Sequence, residues 1–257
     1  MKKLIPLLLL LVSMPSLAQR QFDIEVIIFK RAVDAEKISE SWPDNLPEIN
    51  MARAGSFSDS AYRQSKGVKM LAYSDYQLND QVQELKKHAG FDVLLHTAWR
   101  QGDEGRSSAP VFHIQAGKDY SRQYRPDGSA INSATTQTSI DGVTEQSIAK
   151  PFYELDGTLQ IYVQHYLYAE VMMDLKEPSV REVLIQDTPL ELTPTDEQAD
   201  GTVQAGNLAP VSPTRKVESF LKSYRIDQKR RMRSSETHYL DHPLMGMIIQ
   251  VRKVAEQ

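Results

Sequence analysis

The chain has 257 residues, with 30 basic and 34 acidic side chains, a formal charge of −4 and no cysteine. Without thiols there are no disulfides, cysteine nucleophiles or cysteine metal sites, so the fold must hold without covalent staples. The mildly acidic balance argues against general nucleic-acid binding and leaves only local basic patches for anionic polymers.

Met1 to Ala18 has the pattern of a secretory signal peptide, with Lys2 and Lys3, an apolar run from Leu4 to Val12, and Ser16-Leu17-Ala18 at the cleavage position. The run is shorter than the ~20 residues of a membrane-spanning helix, and no other stretch approaches that length. The expectation is therefore export, with no transmembrane segment and a soluble mature chain. A lipid anchor would need a cysteine at the cleavage site. The expected organisation is a signal peptide at 1–18 followed by a single domain at 19–257.

Phe22 to Phe29 alternates Phe22, Ile24, Val26 and Ile28 against Asp23, Glu25, Ile27 and Phe29, the period of a strand. From Val33 to Gly67 the periodicity fails, and Trp42 stands as an aromatic anchor that either packs onto the domain or stacks on a sugar. Asn79 or Asp80 can cap a helix carrying Val82, Leu85 and Ala89 on one face before Gly90 stops it. Phe91 to Arg100 reads as a strand needing cover on both sides, so the helix is expected to lie across the sheet.

Val111 to Ile114 reads as a short strand, and Ala116 to Ala149, with its polar run Ser133 to Ser139, as a hairpin excursion or loop. Leu155 to Leu175 is the longest strand pattern, with a bend or bulge expected near Tyr168 to Glu170. Ser179 to Gln186 would be its partner strand. Positions 187–214 combine acidic residues with four prolines and no Lys or Arg, which reads as a disordered acidic loop. Arg225 to Val251 reads as a β-hairpin with its corner at His238 to Pro243. The fold class is α+β, a mainly antiparallel sheet with one or two packing helices and long loops.

Three sets of residues invite chemistry. Tyr162, Tyr166 and Tyr168 fall on one strand face, where rings with hydroxyl tips either stack on glycan or lie beneath the loop that precedes them. Arg225, Lys229, Arg230, Arg231 and Arg233 form the densest basic cluster. Arg230, Arg231 and Arg233 are candidate partners for the carboxylates of a cell-wall peptide or for lipid headgroups; otherwise the cluster is a solvated strand edge or pairs with the acidic loop. His238, Asp241 and His242 suggest zinc, but Pro243 and the flanking strands prevent the helical convergence that such spacing needs. No metal site is assigned, and Asp241 and His242 are read as holding the corner through backbone hydrogen bonds, with Pro243 fixing its exit. His88, His96, His113 and His165 are dispersed, and neither a nucleophile elbow nor a phosphate-binding glycine loop occurs. The expectation is a protein without catalysis or cofactor, although a carboxylate pair that cleaves glycan would leave no local signature.

Phe22 to Phe29, Ser41-Trp42-Pro43, Val93 to Gln101, Leu155-Asp156-Gly157-Thr158-Leu159 and Arg231 to Gly246 together resemble the CsiV family of periplasmic peptidoglycan-binding proteins of Gram-negative bacteria. The last segment, Arg-Met-Arg-Ser-Ser-Glu-Thr-His-Tyr-Leu-Asp-His-Pro-Leu-Met-Gly, carries most of the specificity. The sequence departs from the family pattern at Thr237 and across His165 to Tyr168, and no binding residue is carried over. The resemblance implies a non-catalytic accessory protein that binds peptidoglycan and supports wall assembly and cell shape. It also implies a peptidoglycan synthase or its lipoprotein activator as a further partner. An envelope protein adaptor and, less favoured, a wall hydrolase are the alternatives.

Overall fold

A computed structural model describes residues 20–131, 151–184 and 215–255. The expected signal peptide at 1–18, the polar run at 133–139 and the acidic loop at 187–214 lie outside the described residues. The described residues divide into two compact units, one made of 20–119, 153–176 and 223–255, the other of 120–131, 151–152, 177–184 and 215–222.

In the first unit the alternating N-terminal run forms β1 (Gln21–Arg31). It pairs antiparallel on one side with β4 (Phe91–Gly102) and on the other with β10 (Met245–Lys253). Adding β3 (Lys69–Met70) beside β4 and β9 (Thr237–His242) beside β10 gives a five-stranded sheet in the order β3-β4-β1-β10-β9. Both edges of β1 are paired, and both of its faces are covered by packed side chains. Phe22, Ile24, Val26 and Ile28 enter the main core, while Ile27 and Phe29 pack on the other side against Leu78 and Val82. Those last two belong to α2 (Asn79–Lys87) and its start, so the helix lies across the sheet as expected. A shorter helix, α1 (Ser60–Ser65), is capped by the Asp59 side chain.

The cap of α2 differs from the sequence expectation. Leu78 occupies the cap position and makes no side-chain cap bond. The fully buried Glu25 carboxylate, reaching from β1, instead accepts the backbone N–H groups of Gln77 at 2.7 Å and Leu78 at 2.9 Å. The same carboxylate meets His96 Nε2 at 2.8 Å and Arg252 Nη1 at 2.9 Å. Burial pushes the Glu25 pKa up, but the hydrogen bonds from His96, Gln77, Arg252 and Leu78 outweigh it and bring the pKa to about 2. One ionised side chain thus satisfies a helix start and two neighbouring strands.

The second sheet has the order β2-β5-β6-β7-β8, formed by β2 (Ala54–Ser56), β5 (Val111–Asp119), β6 (Tyr153–Gln164), β7 (Tyr166–Leu184) and β8 (Arg215–Met232). The β2–β5 pair is parallel, and the β5–β6 and β6–β7 pairs are antiparallel. Leu159 and Ile161 of β6 and Val171 and Met173 of β7 join Ile24, Val26 and Ile28 of β1 in one core cluster, so the inner faces of the two sheets pack on each other. Gln101 ties them with polar bonds, accepting from Trp99 Nε1 at 2.7 Å and donating to the Ile161 carbonyl at 2.9 Å. Gly157 permits the close approach of β6 and β7, since a Cβ there would lie 2.3 Å from the Met172 carbonyl oxygen.

The long run Leu155 to Leu175 is a hairpin, not one bent strand. The chain reverses at His165, which takes φ 61°, and the described part of the expected partner strand Ser179 to Gln186, residues 179–184, continues β7. Residues equidistant from His165 become cross-strand partners, Gln164 with Tyr166 and Tyr162 with Tyr168. Equal parity therefore still means an equal face, and the tyrosines share one side despite the reversal.

Arg225 to Val251 likewise contains two reversals. A turn at 233–236, with Ser235 at φ 68°, carries the chain from β8 in the second sheet to β9 in the first, and Pro243 lies in the turn from β9 to β10. The expected corner is therefore itself a strand.

The second unit holds the outer parts of β7 and β8. Within it Arg181 Nε donates to Glu218 Oε1 at 2.7 Å and stands 5.0 Å from the Phe220 ring centroid. The Leu221 N–H donates to the Gly128 carbonyl at 2.7 Å.

Candidate functional site

The outward face of the second sheet gathers the groups that carry chemistry. Along β8 the even positions Tyr224, Ile226 and Met232 are buried in the core, which turns Arg225, Asp227, Lys229 and Arg231 outward. Along β6 and β7 the odd positions are in the core, so Gln160, Tyr162 and Gln164 and then Tyr166, Tyr168 and Glu170 share that outward side.

Two ring and cation pairs stand in this row. Arg231 places its guanidinium carbon 4.6 Å from the Tyr166 ring centroid, and Tyr166 is 55% exposed. Lys229 Nζ lies 5.1 Å from the Tyr168 centroid and 5.7 Å from that of Tyr162. Tyr162 and Tyr168 stack with centroids 5.5 Å apart and planes 25° from parallel. Residues two apart on one strand face are separated by about 7 Å, so the pairs repeat at that interval. The Tyr162 hydroxyl beside it holds the Lys229 ammonium above its ordinary pKa, so the cation persists at neutral pH. Neither Lys229 nor Arg231 is ion-paired within 4.0 Å among the described residues, whereas two other guanidinium groups of this face are committed. Arg225 is bidentate to Asp174 at 2.7 and 2.9 Å, and Arg106 to Glu170 at 2.8 and 2.6 Å. The Arg106 hydrogen bond holds the Glu170 carboxyl below the usual carboxylate range.

Two depressions adjoin the row. One, of about 500 Å³, is lined by Arg53, Gly105, Arg106, Ser107 and Gln164. The other, of about 240 Å³, shares Arg53 and Arg106 and extends to Gln160, Glu170, Met172 and Asp227. Their wall is fixed by backbone contacts, because the Arg106 carbonyl accepts from Arg53 Nη2 at 3.1 Å and from Gln160 Nε2 at 2.8 Å.

The residues singled out from the sequence are distributed unevenly over this geometry. Tyr166 and Arg231 meet on the face. Tyr162 reaches the same face but is 1% exposed, covered by Tyr168 and Lys229, so its ring supports the surface without offering a stacking plane. Arg230 has the parity of Ile226 and Met232, opposite to Arg231, and Arg233 lies beyond the strand end, 3.7 Å from Glu236. Trp42 is half-buried, set edge-on to Tyr224 at 5.5 Å and 5.0 Å from the His242 ring, which is the packing alternative of its two readings.

Of the corner residues, His242 Nδ1 accepts the Leu244 N–H at 3.2 Å across the Pro243 turn, and burial pushes the His242 pKa down. His238 Nε2 meets the Arg233 N–H at 3.0 Å. Among the described residues the Asp241 side chain holds no backbone group; its carboxylate pairs with Arg31 of β1 at 2.5 Å and accepts from the Tyr239 hydroxyl at 2.9 Å. No cluster of three His, Asp or Glu side chains able to hold a metal occurs among the described residues.

The sequence reading places Lys229 in the basic cluster and Tyr168 in the tyrosine row, and it does not single out Arg53, Arg106, Glu170 or Asp227. Strand parity separates Lys229 and Arg231, which share a face, from Arg230. The Arg106 to Glu170 pair joins positions 64 apart and has no local signature.

In comparison with known proteins, residues 3–254 match the model of a family described as "Peptidoglycan-binding protein, CsiV". No curated protein and no solved structure matches the chain. No described helix is long and apolar enough to cross a membrane.

Proposed function

Because the chain belongs to the CsiV family of peptidoglycan-binding proteins, we propose that it binds peptidoglycan on the tyrosine and cation face of the second sheet. The exposed Tyr166 ring, with Tyr168 beside it, supplies flat apolar surface for sugar rings. Lys229 and Arg231 supply the positive charge that stem-peptide carboxylates seek. The observation that carries this reading is the Arg231 guanidinium held over the open Tyr166 ring, a cation left without a carboxylate among the described residues. The leader-like pattern at 1–18 supports a periplasmic location. The protein then acts as a non-catalytic accessory factor in wall assembly and cell shape.

Co-sedimentation with purified sacculi tests the reading. Tyr166→Ala is expected to weaken binding about tenfold, the usual cost of truncating an aromatic anchor. Undiminished binding by that variant would move the site elsewhere.

A second reading, an adaptor for a peptidoglycan synthase or its lipoprotein activator, draws support from the sheet edges. β8 and β9 each close a sheet at one side, and a strand edge can accept a segment of another protein. Cross-linking in cells that recovered glycan alone would count against it.

A further inference from the structure

The smaller depression carries a feature that sugar stacking does not use. Its wall holds opposite charges, with Asp227 of β8 and Arg53 both lining it beside the apolar side chains of Met172 and Ile49. Asp227 is exposed and has no ion-pair partner within 4.0 Å among the described residues. Its neighbour across the cavity, Glu170, is already neutralised by Arg106. Among the described residues Arg53 donates to the carbonyls of Arg106 and Ser107 through Nη2 alone, which leaves its other N–H groups for a ligand. Asp227 also precedes Lys229 by two positions on the same strand face, about 7 Å away. The cavity therefore opens beside the ring and cation pairs.

With Arg106 and Glu170 paired to each other, the lining leaves one carboxylate, one guanidinium and the apolar side chains of Ile49, Val111 and Met172, which is complementary to an ammonium and a carboxylate carried on one carbon at the end of an aliphatic chain. In peptidoglycan that chemistry belongs to the diamino acid of the stem peptide when its second amine is free. Cross-linking converts this amine to an amide and removes its charge. We infer that the Asp227 and Arg53 cavity takes the zwitterionic end of this diamino acid, so that the protein prefers stems that are not cross-linked. The inference rests on the proposed peptidoglycan binding and adds the feature selected. Glycan on the tyrosines and the free amine at Asp227 would then be read together.

The test compares sacculi before and after acetylation of their free amines, using the wild-type chain and Asp227→Asn, with free diaminopimelic acid as a separate soluble probe. The wild type is expected to bind acetylated sacculi about tenfold more weakly than untreated sacculi, as the loss of a charge-assisted hydrogen bond implies. Asp227→Asn is expected to bind both kinds equally, at the weaker level. Free diaminopimelic acid should raise the melting temperature of the wild type and leave that of Asp227→Asn unchanged. Equal wild-type binding to both kinds of sacculi, or discrimination retained by Asp227→Asn, would overturn the inference while leaving peptidoglycan binding intact. Absence of sacculus binding together with a diaminopimelic acid response would instead sink the peptidoglycan reading and keep the cavity. Absence of both would end both.

Discussion

Reversing the two open cations together, Lys229→Glu with Arg231→Glu, is expected to reduce sacculus binding about a hundredfold, or roughly 2.7 kcal/mol. Each substitution removes an attraction for stem carboxylates and replaces it with repulsion, and each also strips a cation from a tyrosine face. Both side chains are exposed on an edge strand and neither is ion-paired among the described residues, so the fold should not depend on them. The melting temperature is accordingly expected to stay within about 2 °C of the wild type. The same reversal at Arg230 and Arg233, outside the tyrosine row, should cost far less binding. Equal losses from the two double variants would mean that only net charge matters and that the rings do not define the site.

The largest effect on stability is expected at Glu25. Replacing it with leucine leaves Arg252, His96 and the N–H groups of Gln77 and Leu78 without the acceptor they share. Removing one member of a buried charged network typically costs about 3–5 kcal/mol, which in a chain of this size lowers the melting temperature by roughly 10 °C. Glu25→Gln keeps the shape and one acceptor oxygen and should lose less. The pH dependence follows from the depressed pKa. Glu25 titrates near 4.5 when unfolded and at about 2 when folded, so its stabilisation is complete above 4.5 and is lost as pH falls towards 2. Melting curves from pH 7 down to pH 2 should show this acid limb in the wild type and a shallower one in Glu25→Leu. Identical limbs would show that other carboxylates govern acid unfolding.

Much of this arrangement could be read from residue patterns, and what escaped did so for physical reasons. The alternation in β1 and the existence of α2 and β4 depend on period and length and appear where the pattern places them, whereas the boundaries shift, with α2 capped at Leu78 and ending at Lys87 and β4 running on to Gly102. The division into two sheets does not follow from the pattern, because every strand signal is equally compatible with one sheet or two. The reversal at His165 lacks the glycine, proline or asparagine that normally marks a turn. It nonetheless preserves parity, so the tyrosines share one face although two strands carry them. Among the arginines the reverse happened. Charge density drew attention to Arg230, and the alternation of buried Ile226 and Met232 shows why its neighbour Arg231 is the one that meets the rings. Glu25 looked like an ordinary polar position in a half-wet strand, since nothing local announces that a helix start 52 residues later will need its carboxylate.

The most direct test is an NMR titration of the protein with soluble disaccharide-peptide fragments of peptidoglycan. The largest shifts are expected on Tyr166, Tyr168, Lys229 and Arg231, extending to Asp227, with Trp42, Arg230 and the His238 to His242 strand little affected. Shifts centred on Trp42 or on the β9 strand, with the tyrosine row unmoved, would contradict it.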